Sequence, residues 1–106
     1  MNDQKLHKKY RDAKSKAKAR SIEFSLTFEE YKSIFTTMTC SITGKTLTLK
    51  HPSEELRPTV DRITNELGYV AGNVHLVSER MNRLKSDASE NEVAQILNYI
   101  RKNKNV

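Results

Sequence analysis

The sequence predicts a small α+β domain: two adjacent strands and a short helix, flanked by longer helices. Three observations predict it. Residues 58–88 run as a β-rich segment, a glycine-containing loop, a second β-rich segment and a short helical stretch. Two Ser/Thr-x-x-Glu patterns, Thr27 to Glu30 and Ser89 to Glu92, mark helix starts on either side. The first twenty residues lack Gly and Pro and are rich in Lys, Ala and Arg, which form helices readily.

Taken in order, residues 4–20 are expected to be helical. Leu6, Tyr10, Ala13 and Ala17 make a thin apolar stripe, which docks and leaves a basic face outward. Ile22, Phe24 and Leu26 alternate as a short extended lead into the second helix. There Phe28, Tyr31, Ile34 and Phe35 follow the Thr27 cap at helical spacing and read as core. Around Thr43-Gly44, residues 39–49 suggest a hairpin. Residues 50–58 contain both prolines and read as a loop. Val60 and Ile63 belong to the first strand. Asn65 to Gly68 is a turn in which Gly68 is expected to take positive φ. Val74, Leu76 and Val77 make the second strand, and Ser78 caps the next helix. The last helix, to about residue 102, shows Val93, Ile96, Leu97 and Ile100 on one face.

The bulk numbers narrow the classes. A chain of 106 residues with 36% hydrophobic and 30% charged residues supports one small core. No apolar run approaches the ~20 residues that cross a bilayer, and the charged start does not look like a secretory leader, so a cytoplasmic setting is expected. One cysteine excludes an internal disulfide. Residues 1–20 hold eight Lys/Arg against Asp3 and Asp12, and so carry the whole net charge of +6. The other residues are balanced, at 11 basic and 11 acidic. A basic arm (1–20) on a neutral body (21–106) is the electrostatic footprint of nucleic-acid binding, with a solvated helix face as the alternative. Lys8, Lys9, Arg11 and Lys16 are the candidate contacts on the arm.

Asp61-Arg62-Ile63, Gly68-Tyr69-Val70, Gly72-Asn73-Val74 and Asn82-Arg83-Leu84-Lys85-Ser86-Asp87, with Cys40-Ser-Ile-Thr-Gly44 upstream, carry a resemblance. Together they look like a phage-associated branch of the HNH endonucleases, which share the ββα-metal finger with the endonuclease VII type. The likeness spans roughly residues 20–103. It implies a ββα-metal finger packed against flanking helices and a divalent-metal-dependent DNA endonuclease or nickase. The alternative is a catalytically inactive HNH-fold protein that binds nucleic acid or a host component.

Residue by residue, the resemblance makes Asp61 and Asn82 ligands of Mg²⁺ or Mn²⁺, whose preference is for hard oxygens. It makes Asn73 the residue that hydrogen-bonds the intervening loop. Double-stranded DNA is the expected partner. The family's commonest form has a histidine base directly after this Asp, whereas this chain has Arg62. A guanidinium cannot take a proton, though it can clamp a phosphate. His75 is then the leading base, two residues from Asn73 along one strand. His51 is second, and a metal-bound hydroxide without a protein base is third. Arg80, Arg83 and Lys85 on the finger helix are candidate phosphate contacts, or pair with Glu79 or Asp87. Thr43 stands where a second Cys of a zinc knuckle would be, so no structural zinc is expected and Cys40 reads as a small buried residue.

Overall fold

The computed structural model describes residues 2–50 and 52–104, and these form an α+β fold with four helices and one two-stranded antiparallel sheet. Helix α1 (Asp3–Ala19) starts on Asn2, whose Oδ1 accepts from the Lys5 amide at 2.9 Å. It ends in a Schellman turn. Ser21 takes φ +57°, and the Ile22 amide reaches back to the Ala17 carbonyl at 2.8 Å. Helix α2 (Phe28–Ile34) has both halves of the Thr27–Glu30 capping box. Strands β1 (Pro58–Arg62) and β2 (Val74–Ser78) pair with Asp61 opposite His75. Helix α3 (Glu79–Lys85) follows β2 without a break, because Ser78 ends one and caps the other. Helix α4 (Glu90–Asn103) opens on the Ser89–Glu92 box.

Two apolar clusters hold these pieces. Leu6, Leu26 and Tyr31 are buried together, with Tyr10, Phe24, Phe28 and Tyr69 packed round them. Tyr10 sits edge-on to Phe24, Phe28 and Tyr31, and its hydroxyl donates to the Leu26 carbonyl at 2.6 Å. The second cluster, Cys40, Leu47, Leu76 and Val77, lies between the 39–49 loop and the sheet. That loop is less than a hairpin: one bridge, Thr39 to Thr46, closed around Gly44 at φ +76°.

Three further expectations change. First, Ile63 lies just beyond β1 and is exposed, while Pro58 opens the strand instead of closing the loop. Second, Gly68 does not take positive φ. Gly72 does, at +85°, in a turn closed by the Asn73 amide on the Val70 carbonyl. Gly68 is needed for a different reason. The Tyr69 amide bonds the Glu23 carbonyl at 2.8 Å, and this brings the two segments so close that a Cβ on Gly68 would lie 2.5 Å from the Glu23 oxygen. Gly68→Ala is therefore expected to cost about 3 kcal/mol, since backbone must move on both sides. A urea midpoint within error of wild type would show that this contact is not tight.

Third, α4 does not pack on the body. None of its residues is buried, and Val93, Ile96, Leu97, Tyr99 and Ile100 are 42–70% exposed. The flanking helices that pack toward the sheet are α1 and α2, through the cluster that takes in Val60 and Val74.

Candidate functional site

β1, α3 and the end of α1 wall a cleft of about 480 Å³ that holds Asp61, Arg62, Asn82, Arg83, Asp87 and Arg20. Asp61, 8% exposed, is placed by strand pairing. Its Oδ1 accepts from the Lys85 ammonium at 3.3 Å, and Lys85 also donates to the Arg62 carbonyl at 2.8 Å. Asn82 is aimed by Thr59: its amide nitrogen donates to the Thr59 hydroxyl at 3.2 Å, which leaves its oxygen to accept elsewhere. Thr59 is in turn fixed on the Val77 carbonyl. A strand carboxylate and a helix amide thus open on one cleft.

Asn73 is buried and supports the site from behind. Its Nδ2 donates to the carbonyls of Thr64 and Gly68, and its Oδ1 accepts the Thr64 amide. This ties the β1–β2 loop into one conformation. Arg62 works on the same loop. One guanidinium nitrogen donates to the Asn65 and Leu67 carbonyls, and the group lies 5.5 Å over the Tyr69 ring. Its remaining N–H groups are those available to the cleft.

His75 is exposed on β2 and is not among the residues that line the cleft, although it is opposite Asp61 in the register. His51 falls outside the described residues. Arg80 and Arg83 pair with Glu54, not with Glu79 or Asp87; Glu79 is held by Arg57. Lys85 is committed to Asp61. Of the three α3 cations, only Arg83 lines the cleft, already paired.

Lys9 and Lys16 on α1 and Arg20 at its C-cap lie on one side. With Thr59, Tyr69 and Asn82 they line a groove of about 310 Å³. Arg20, Tyr69 and Asn82 are shared with the cleft, so the groove runs into it. Lys8 instead forms an exposed pair with Asp12, and Arg11 lies outside the groove lining. Sequence reasoning did not place Glu54 or Arg20 at the site. The arm's last cation has a detectable signal, its helical spacing from Lys9 and Lys16. Glu54 has none.

Cys40 anchors the site from below. The thiol is 1% exposed, and its sulfur accepts from the amides of Thr43 and Ser78, the cap of α3. Burial pushes its pKa up, but the Thr43 hydroxyl and the amides of Thr43, Ser78 and Ile42 outweigh it and bring it from the usual 9.0 to about 7. The folded state then favours the thiolate. That stabilisation is complete above pH 9 and is lost as pH falls through 7. Wild type is expected to gain about 1–3 kcal/mol between pH 7 and 9 relative to Cys40→Ala, read by urea unfolding at both pH values. Parallel pH profiles of the two proteins would contradict this.

Among the described residues, no group of three or more His, Cys, Asp or Glu is gathered to hold a metal. The Asp61–Asn82 pair suits a hard cation that keeps most of its waters, as Mg²⁺ does. No family model matches the chain, and no solved structure matches it. The chain is similar to an uncharacterized 29.0 kDa protein from the dda-modA intergenic region of Enterobacteria phage T4, at 29% identity over 91 residues. The match covers 86% of this chain and 36% of the T4 protein, so the chain spans about a third of that relative's length.

Proposed function

We propose that this chain is a divalent-metal-dependent DNA endonuclease or nickase of phage HNH type, with β1, β2 and α3 as a ββα-metal finger. The observation that carries the reading is the convergence of Asp61 and Asn82 on one cleft that also holds Arg20 and Arg62. Similarity to a phage T4 protein is in keeping with a phage origin.

Asp61 and the Asn82 oxygen would hold Mg²⁺ or Mn²⁺, which stabilises charge on the phosphate and lowers the pKa of attacking water. The other roles belong to the chain. The Arg62 and Arg20 guanidinium groups clamp phosphate oxygens and stabilise negative charge as it builds. Asn73 and Tyr69 keep Arg62 aimed. Lys9 and Lys16 guide the backbone toward the cleft. With His75 outside the lining, Asp87 is the better proton acceptor. It lines the cleft and, among the described residues, has no hydrogen bond or ion pair.

A second reading, a nucleic-acid-binding protein without catalysis, is favoured by one observation. Arg62 stands at the expected base position and spends two hydrogen bonds on holding a loop. Supercoiled plasmid separates the two. The endonuclease reading expects open-circular or linear product with Mg²⁺ or Mn²⁺ and none with EDTA. Retarded but uncut plasmid in both metals selects the second reading.

A further inference from the structure

We propose that α4 is a self-association helix: two copies of this chain pair their α4 helices antiparallel, each lying in the other's apolar groove. The pairing is argued from α4 and its groove, which shares Asn65 and Asp87 with the cleft.

The starting point is the uncovered stripe. Val93, Ile96, Leu97 and Ile100 fall within one ~100° sector of the helix, the spacing that builds helix–helix seams. Half or more of Ile96 and Ile100 is exposed, at 57% and 53%. A helix of 14 residues is marginal in water without packing, however well capped. Between α4 and the body runs a groove of about 890 Å³. Val93 and Leu97 form one wall, and Ile42, Ile63, Met81 and Leu84 the other. Ile42, Ile63 and Leu84 are themselves exposed. The apolar surface is therefore continuous from helix to body, with room between the walls.

Charge says what fills it. The first turn of α4 is acidic (Glu90, Glu92) and its last turn basic (Arg101, Lys102). A parallel pair would set like charges together. An antiparallel pair sets each acidic end beside the partner's basic end. With a twofold axis between Ile96 and Leu97, Val93 comes level with Ile100, Ile96 with Leu97, and Glu92 with Arg101. The same register that closes the apolar seam thus closes the charge pattern. Such an interface is self-complementary, as twofold symmetry requires.

The test is sedimentation equilibrium of the full chain. The expected mass is twice 12.2 kDa at micromolar concentration. Ile96→Glu, whose side chain the single chain leaves exposed, should weaken the dimer by about 100-fold, since each dimer buries two new charges at roughly tenfold each. Arg101→Glu/Lys102→Glu should weaken it by about tenfold, while Lys14→Glu/Lys18→Glu on α1 should not. Far-UV circular dichroism at high concentration checks that each variant is folded. A monomer at 0.1 mM wild type, or a dimer indifferent to both the Ile96 and the Arg101/Lys102 changes, would overturn the proposal.

Discussion

Asp61→Ala is expected to lower metal-dependent plasmid cleavage by about 10³-fold or more. A bound cation supplies several kcal/mol of transition-state stabilisation, and each 1.36 kcal/mol is tenfold. Asp61 is the only carboxylate on β1, and it is mostly shielded from solvent. Asn82→Ala should fall in the same direction, since it removes the other oxygen. His75→Ala is the contrasting case. His75 is exposed and does not line the cleft, although it pairs with Asp61 in the register, and the rate should stay within about tenfold of wild type. Asp61→Ala should leave the fold in place, because the Lys85 ammonium it abandons keeps the Arg62 carbonyl. Full cleavage by Asp61→Ala, or a loss with His75→Ala of 10² or more, would move the chemistry out of this cleft.

The second large effect concerns affinity. Lys9→Glu/Lys16→Glu should weaken DNA binding far more than Lys8→Glu/Arg11→Glu, although each pair changes the same charge. Lys9 and Lys16 line the groove that leads to Asn82, whereas Lys8 is neutralised by Asp12 and neither Lys8 nor Arg11 lines it. Two lost phosphate contacts flatten the slope of log K against log salt by about 1.8. They weaken binding about 10²-fold near 0.05 M salt. Deleting residues 1–20 would not test this, because Leu6 and Ala17 are buried and their removal opens the core. Equal effects from the two pairs would mean that net charge alone, not the groove, draws the DNA.

Much of the framework was legible because its causes are local. The caps at Thr27, Ser78 and Ser89 each bond an amide within three residues, so a short pattern contains the whole interaction. Asn73 was legible only through the family resemblance; its partners, Thr64 and Gly68, are on the adjoining loop. What escaped depends on distant segments. Gly68 and Gly72 look alike in sequence, yet one serves a turn and the other yields to Glu23, far back in the chain. Glu54 takes Arg80 and Arg83 through a fold that brings the 52–56 loop over α3. The α4 pattern announced an apolar stripe correctly, but periodicity cannot say what covers a stripe. Lys85 was half visible. It stands three residues after Asn82, on the same helix face, which is why its ammonium reaches Asp61.

The arrangement asks little of each residue alone. Cys40 fixes the α3 cap, Asn73 and Arg62 fix the loop, and Thr59 fixes Asn82. Asp61 and Asn82 are left as the two oxygens with a cleft in front of them. The most direct test is calorimetric titration of Mn²⁺ into the wild-type chain and into Asp61→Ala/Asn82→Ala. One site is expected in the wild type and none in the double variant, with both proteins equally folded. Equal affinity in the two, or no binding to the wild type, would contradict it.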